Sequence, residues 1–269
     1  MKSYNVDAFV LRLRPLGEAD RILTLFSRER GKLHAVAKGS RRSGSRFGAR
    51  LDFFNRVSLT LHRGRSLDII TGAQSAIDRS VWDRLVEPET FALASYVAEV
   101  IDALSEPDLA VPELFDMLCE LRDAIGAGVP AASLAPAIDL RLLGVLGLAP
   151  ELDACARCGS ALGNRPLAGG RARLSPNSGG LVCRRCNVED VGALTGDGGA
   201  TFGVSAAELS MLRALRTAPF TALGDIGDAA RLRRLTSAFV EYQLGRRSKA
   251  LAVANARTAR RPAPKAAAR

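Results

Sequence analysis

The hydrophobic period of this 269-residue chain changes once, near Ser80, and this change limits what the chain can fold into. Before it, apolar and polar residues alternate within short segments, which is typical of half-buried β-strands. After it, apolar residues recur at intervals of three and four, which is typical of amphipathic helices. The sequence therefore predicts a multidomain α+β protein in which a β domain precedes a helical one.

Five short apolar segments precede the change, and glycine- or proline-containing turns separate them. The predicted strands are Val6–Leu13, Arg21–Phe26, Leu33–Ala37, Phe53–Leu61 and Leu67–Thr71. Five strands in a small basic domain favour an OB-fold barrel, which binds single-stranded nucleic acid on one face and its flanking loops. An SH3-like barrel is the alternative. We assign residues 1–79 to this domain.

Five amphipathic helices are predicted after the change. Their apolar stripes or caps lie at Leu93–Leu104, Leu114–Leu121, Leu134–Leu146, Ser205–Leu215 and Asp228–Leu244. The fourth begins with the capping box of Ser205 and Glu208. Together the helices predict a bundle domain formed by residues 80–151 and 201–245.

Two Cys-x-x-Cys pairs interrupt this bundle. They are Cys155 with Cys158 and Cys183 with Cys186, and 24 residues separate them. Each pair can present two thiolates from one turn, as tetrahedral zinc requires. Four thiolates leave no open coordination position, so the expected cofactor is one structural zinc ion in an inserted module, residues 152–200. The alternatives are a redox dithiol or a vestigial site. Cys119 lies on a helical stripe and is predicted to fill the core.

Positive charge is concentrated in two stretches. The net charge of the chain is +10, yet residues 30–51 alone contain seven basic and no acidic residues. Residues 246–269 contain eight more, again without an acid, so the rest of the chain is net acidic. Such uneven charge indicates a polyanionic partner, and nucleic acid is the first candidate. We interpret residues 246–269 as a basic disordered tail.

The candidate nucleic-acid contacts belong to the first basic stretch. They are Lys32, Lys38, Arg41, Arg42, Arg46 and Arg50. Gly39, Gly44 and Gly48 allow this segment to follow a phosphate backbone. Because only 5% of the residues are aromatic, base stacking is expected to contribute little, and phosphate neutralisation should dominate with weak sequence preference. The alternative is a solvated loop that serves solubility.

The sequence favours a protein without catalytic activity. Neither His34 nor His62 has the neighbouring residues of a zinc deaminase, and a phosphate-binding Gly-x-x-x-x-Gly-Lys motif is absent. The first residues lack the apolar core of a signal peptide, and no apolar run is long enough to cross a bilayer. We therefore expect a cytoplasmic protein with no membrane partner.

Several segments resemble the RecO family of bacterial recombination mediators. They are residues 17–27 (GEADRILTLFS), 31–33, 36–42, 45–48, 142–150 (LLGVLGLAP), 155–159 and 174–183 (LSPNSGGLVC). The similarity extends over about residues 1–250, and the segment from Leu251 departs from it.

This resemblance implies an OB-fold domain, a helical domain and a zinc module that together bind single- and double-stranded DNA. It also implies annealing of complementary strands and a role in the RecF pathway of DNA repair, with association with the bacterial nucleoid during repair. The implied partners are RecR, the single-stranded-DNA-binding protein and, indirectly, the RecA recombinase that is loaded onto coated DNA. One alternative function is that of an RNA-binding or ribonucleoprotein assembly protein. Another is that of a scaffold protein whose basic residues form only a solvated surface.

Overall fold

The computed structural model describes residues 3–75, 78–162, 172–191 and 201–250. Five strands near the N-terminus close into a barrel. They are β1 Ser3–Leu16, β2 Asp20–Ser27, β3 Gly31–Ala37, β4 Arg56–His62 and β5 Asp68–Gln74. Their order is β1-β2-β3-β5-β4, with β4 returning to β1, and the β3–β5 pair is parallel whereas the other pairs are antiparallel. This is the arrangement of an OB-fold, so the OB-fold prediction is confirmed over the SH3-like alternative.

Several strand limits differ from the sequence prediction by one to three residues, and two of these differences have a clear structural cause. Strand β1 continues beyond Leu13 to Leu16 because residues as far as Leu16 pair with β2 in a long antiparallel ribbon. Strand β4 begins at Arg56 instead of Phe53, since Phe54 has a φ of 62° that interrupts an extended chain. Within β4 the predicted alternation is present, with Val57, Leu59 and Leu61 buried.

Strand β1 is buried on both of its faces at its centre. Val10 points into the barrel core, whereas Phe9 and Leu11 belong to a second apolar cluster outside the barrel. The Phe9 ring lies 5.3 Å from the ring of Phe115, which belongs to a helix. The barrel wall and the helices therefore share one hydrophobic core.

Seven α-helices follow in the described residues. They are α1 Arg79–Leu85, α2 Pro88–Leu104, α3 Pro112–Gly126, α4 Ala131–Val145, α5 Arg184–Val191, α6 Ala206–Leu215 and α7 Ala229–Leu244. The predicted capping box of Ser205 and Glu208 is present at α6, and α7 ends at Gly245 with a φ of 63°. Helices α1 and α5 are additional to the five that periodicity predicted, because each is only seven or eight residues long.

A small three-stranded sheet is inserted between α4 and α6. Its strands are β6 Ala172–Ser175, β7 Gly180–Val182 and β8 Phe202–Val204, in the order β7-β6-β8. Leu174, Leu181 and Val204 bury their side chains in the same core as the helices. The α+β class with an inserted cysteine module is thus confirmed. The exact division into residues 1–79, 80–151 with 201–245, 152–200 and 246–269 stays a prediction.

A buried polar cluster joins three helices at the centre of this core. Asp139 of α4 accepts hydrogen bonds from the Tyr96 hydroxyl of α2 and the Thr236 hydroxyl of α7, each at 2.6 Å. Burial raises the pKa of Asp139 to about 6, although nearby Arg233 and the two hydrogen bonds act in the opposite direction. The carboxyl group supplies acceptors that no apolar side chain could supply to both hydroxyls.

The beginning of the basic tail is held against α2. Glu99 accepts hydrogen bonds from the Arg246 guanidinium, the Ser248 hydroxyl and the backbone N–H groups of Lys249 and Ala250, at 2.6 to 3.1 Å. Burial alone would raise the pKa of Glu99, but these donors outweigh burial and lower it to about 2. Residues 246–250 are therefore ordered by Glu99, and the prediction of disorder for residues 251–269 concerns residues outside those that the structure describes.

Among the described residues, no helix combines the length and the hydropathy needed to cross a membrane.

We expect Asp139→Asn to remove a pH dependence of stability. The pKa of Asp139 rises on folding from an ordinary 3.8 to about 6, so its contribution to the free energy of unfolding is greatest below the lower value and is lost as the pH rises through the higher one. Denaturant unfolding between these pH values should show wild type losing stability relative to Asp139→Asn as the pH rises. The exposed Asp83→Asn is the control. Parallel pH profiles for wild type and Asp139→Asn would contradict this account.

We expect truncation after Gly245 to destabilise the fold, whereas truncation after Ala250 should not. The shorter chain removes four donors from the half-buried Glu99 carboxylate, at a cost of about 1–3 kcal/mol in the free energy of unfolding. Glu99→Gln should lower the stability of the chain ending at Ala250 and have a much smaller effect on the chain ending at Gly245. Equal unfolding midpoints for the two truncated chains would show that the Glu99 contacts contribute nothing.

Candidate nucleic-acid interface and metal centre

The β3–β4 connection carries most of the predicted contacts, and we call residues 38–50 the basic loop. It is a series of turns that ends in a short 3-10 helix, Gly48–Leu51. Phe47 and Leu51 are buried in the barrel core, and Asn55 Nδ2 donates to the carbonyl oxygens of Ala49 and Arg50 at 2.9 and 3.3 Å. The loop is therefore anchored to the barrel by apolar side chains on one side, which leaves its polar side chains on the other.

Five of the six predicted contact residues are exposed on this loop. They are Lys38, Arg41, Arg42, Arg46 and Arg50. Within the described ranges none of the five forms an ion pair with an acidic side chain. The hydrogen bonds that they do make go to carbonyl oxygens, from Arg41 to Gly17 at 2.9 Å and from Arg50 to Arg46 at 3.1 Å. These bonds orient the guanidinium groups without neutralising their charge.

Positive-φ glycines shape the basic loop, as the sequence predicted. Gly39, Gly44 and Gly48 have φ values of 68°, 76° and 52°. Asp20 Oδ1 accepts a hydrogen bond from Gly39 N at 2.7 Å, and Arg41 N donates to Ala19 O at 2.9 Å. The loop therefore lies against the β1–β2 turn, and Asp20, the first residue of β2, holds the loop backbone.

Lys32 does not lie with the other five contacts. Its side chain is only 11% exposed, and its Nζ donates to the backbone oxygen of Asp102 at 2.6 Å. The segment after α2 crosses the start of β3 so closely that a Cβ at Gly31 would lie 1.8 Å from Leu109 O. Arg30 is likewise paired with Asp108 and stacked on the Tyr4 ring. The prediction that residues 30–51 form a basic surface without acidic neighbours is therefore wrong for Arg30 and Lys32, because α2 and the segment after it place acidic residues beside them.

Two further arginines lie beside the basic loop and were not predicted. Arg14 is exposed at the far end of β1, and Arg21 of β2 is half-buried, 3.7 Å from Asp52. The predicted β1 ends at Leu13, one residue before Arg14. The alternation of Leu11, Arg12, Leu13 and Arg14 was the signal that would have extended the strand.

The four predicted cysteine ligands lie together. The sulfur atoms of Cys155, Cys158, Cys183 and Cys186 all lie within 4.8 Å of one another, and the Cys158 and Cys183 sulfurs are 3.8 Å apart. Four thiolates bound to one zinc at about 2.3 Å would lie about 3.8 Å apart, so this donor set fits a tetrahedral thiolate-binding metal. Cys119, by contrast, is partly buried against the helical core, as predicted.

Local backbone contacts bring the two cysteine pairs together. The first pair lies in a turn that closes with Gly159 N donating to Cys155 O at 2.8 Å, with Gly159 at a φ of 69°. Ala156 N donates to Leu181 O at 2.8 Å, and Cys183 N approaches Cys155 Sγ at 3.4 Å. A Cβ at Gly180 would lie 2.3 Å from Glu151 O, so the two chain segments approach as closely as glycine allows.

Together these features define a class of protein, an OB-barrel and helix protein with a cationic loop suited to polyanions and a cysteine cluster that can hold a metal ion. Comparison with known proteins gives the family. The family profile "Recombination protein O N terminal" matches residues 1–76, and "Recombination protein O C terminal" matches residues 86–252. The chain belongs to the RecO family, and its role is in DNA repair and recombination.

Individual relatives agree with this assignment. The chain is 34% identical to the DNA repair protein RecO of Cutibacterium acnes over 255 residues, covering 91% of this chain and 96% of that one. It is 40% identical to DNA repair protein RecO of Rubrobacter xylanophilus over 193 residues, covering 70% and 73% of the two chains. The corresponding protein of a Nocardioides species is 37% identical over 187 residues, covering 69% and 75%.

We expect the double variant Cys155→Ser and Cys158→Ser to lose bound zinc and to loosen the inserted module. A loop-rich element with three short strands has little core of its own, so a metal bound by its four cysteines would stabilise it. Elemental analysis should give about one zinc per chain for wild type and for the control Cys119→Ser, and none for the double variant. Hydrogen exchange should increase in residues 152–162 and 172–191 and not in the barrel. Purified wild type without zinc, with all four thiols freely titratable, would contradict the assignment.

Proposed function

We propose that this protein is a recombination mediator that binds single- and double-stranded DNA through the basic loop. It anneals complementary strands and helps to load RecA onto DNA coated by the single-stranded-DNA-binding protein, with that protein and RecR as partners. It acts in the cytoplasm, at the nucleoid during repair, and it has no catalytic activity of its own. The contact residues are Lys38, Arg41, Arg42, Arg46 and Arg50.

One observation carries this proposal, namely five exposed cations without acidic partners on a loop that is anchored to an OB barrel in a RecO-family chain. Each phosphate that such a cation neutralises releases condensed counterions, and this release drives binding. Burial of Phe47 and Leu51 holds the loop in place before DNA arrives. The loss of conformational entropy on binding is therefore smaller than it would be for a basic segment that is not anchored to a fold.

Phosphate contacts of this kind suit strand annealing. Two complementary strands repel each other through their backbones, and cations on the protein reduce that repulsion. Because phosphate contacts leave the base edges free, strands held in this way can still pair. Such contacts also carry no sequence information, so annealing should work on any sequence.

We further propose that the metal held by the four cysteines is zinc and that its role is structural. All four ligands are thiolates, which is typical of closed structural sites. The loop itself recognises phosphates that DNA and RNA share, so it does not separate the mediator from the RNA-binding alternative. The family assignment favours DNA repair, and competition between DNA and RNA strands of matched sequence is the direct check.

We expect the triple variant Arg41→Gln, Arg42→Gln and Arg46→Gln to bind single-stranded DNA more weakly and with less salt dependence. Five neutralised phosphates give a slope of log affinity against log salt of about −3.5, or about a 100-fold loss between about 50 and 200 mM salt. The variant retains two of the five cations, so its slope should be about −1.4. Fluorescence anisotropy across a salt series measures both quantities.

A control variant removes equal charge elsewhere, through Arg79→Gln, Arg234→Gln and Arg247→Gln at exposed helical or C-terminal positions. It should keep the wild-type slope and annealing rate. Circular dichroism should be unchanged in both variants. If the loop variant anneals complementary strands as fast as wild type, the DNA contact lies elsewhere and the proposal fails.

A further inference from the structure

A groove of about 570 Å³ separates the barrel from helices α1 and α2. Its walls differ in chemistry. Arginines of β1, β2 and the basic loop contribute to one wall, namely Arg14, Arg21 and Arg41. Aromatic side chains contribute to the other, namely Trp82 of α1 and Phe91 of α2, and Phe53 of the β3–β4 connection packs beside Phe91. Only one acidic side chain, Asp52, is among the lining residues that the structure describes.

The aromatic wall exposes apolar surface that a folded chain usually buries. Phe91 is 49% exposed, and the neighbouring Val86 is 77% exposed. The Phe91 ring is held from behind, with its centroid 5.4 Å from that of Phe53, which in turn lies 5.8 Å from buried Phe54. Trp82, the single tryptophan of the chain, is half-buried, and its indole N–H is buried without a hydrogen-bond partner among the described residues. The groove therefore offers firmly supported ring surface to a ligand.

The cationic wall is continuous with the basic loop. Arg41 belongs to both, since its guanidinium donates to Gly17 O while its side chain lines the groove. Arg14 is exposed and has no acidic partner in the described part of the chain, whereas Arg21 faces Asp52 at 3.7 Å. Three guanidinium groups against one carboxylate leave the groove positive. A ligand that fits must therefore combine negative charge with flat apolar surface.

We propose that this groove binds unstacked bases of single-stranded DNA while the adjoining phosphates lie on the basic loop. This inference rests on the proposed function and adds to it the element that distinguishes single strands from duplexes. Aromatic side chains hold unpaired bases by stacking, irrespective of sequence. In a duplex the bases are stacked on one another and cannot enter, so the groove contributes to binding only before strands pair. Pairing then empties the groove and weakens the hold on the annealed product.

An extended peptide fits the groove less well than a nucleotide. Peptides that bind beside a sheet gain affinity by adding a strand through backbone hydrogen bonds. Pro15, which has no N–H group, lies in the β1 wall and interrupts such pairing. Base stacking needs only the exposed rings, and the shared Arg41 places phosphate-binding charge next to them.

Trp82 provides a direct signal for this contact. The test compares a thymidine oligonucleotide of about 15 nucleotides with an abasic oligomer of the same length and with the duplex form. Thymidine should quench Trp82 emission and bind more tightly than the abasic oligomer, whereas the abasic oligomer and the duplex should bind with little quenching. The advantage of thymidine over the abasic oligomer should persist at high salt, because stacking, unlike phosphate binding, releases no counterions.

Variants separate the groove from the loop. Phe91→Ala should lower the affinity for the thymidine oligomer about tenfold, equivalent to about 1.4 kcal/mol, and leave the affinity for the abasic oligomer unchanged. Arg14→Gln, an exposed change, should weaken binding of both oligomers and reduce the thymidine-induced quenching. The control Tyr242→Ala removes an aromatic side chain that is 47% exposed on α7 and should change neither affinity.

Equal affinities for thymidine and abasic oligomers, with no quenching, would overturn the groove proposal and leave DNA binding by the loop intact. Failure of both oligomers to bind wild type would instead contradict the proposed function. If Phe91→Ala abolishes binding of the single-stranded-DNA-binding protein while oligonucleotide binding is unchanged, the groove holds a peptide and the base-binding proposal is wrong.

Discussion

The structure depends on the burial of β1 on both of its faces. Val10 packs inside the barrel, whereas Phe9 packs outside it against Phe115 of α3. A strand in this position cannot leave the helices without exposing Phe9 and Leu11 to water, at a cost of about 1.5–3 kcal/mol for each large side chain. The barrel and the helices are consequently held together by this shared core. Their packing also determines which side chains are exposed near the junction between them.

This packing assigns the cations of one basic segment to two different roles. At the start of β3, Arg30 and Lys32 meet Asp108 and Asp102 and help to hold the helices on the barrel. Farther along, the basic loop bends away over the β1–β2 turn, and its arginines meet carbonyl groups instead of carboxylates. The same packing opens a groove beside the loop and aligns Phe53 and Phe91 on its wall. Although the chain is poor in aromatic residues, three of them, Phe53, Trp82 and Phe91, line this groove.

The cysteine module is joined to the rest of the structure by a second shared core. Leu174, Leu181 and Val204 bury their side chains among the helices, while the four thiols lie together on the other side of the small sheet. Arg213 of α6 also donates to Leu152 O at 2.7 to 3.0 Å, close to the first cysteine pair. The attachment of the module therefore depends on apolar burial, and a metal bound by the four cysteines would add order locally. Loss of metal should accordingly loosen the module without separating it from the helices.

Features that depend on residues close together in the chain could be predicted from the amino-acid sequence. The change of period predicted where strands are followed by helices, and the Ser205 capping box predicted the start of α6. The spacing of Cys155 with Cys158 and of Cys183 with Cys186 predicted four thiols that the structure brings together. Which basic side chains are available to a ligand depends on packing, because Asp102 lies 70 residues from Lys32 in the chain and contacts it only in the folded protein. The groove beside Arg14 and Phe91 could not be predicted from the sequence either. Its walls come from segments about 80 residues apart in the chain, and hydrophobic periodicity reports only on contacts between near neighbours.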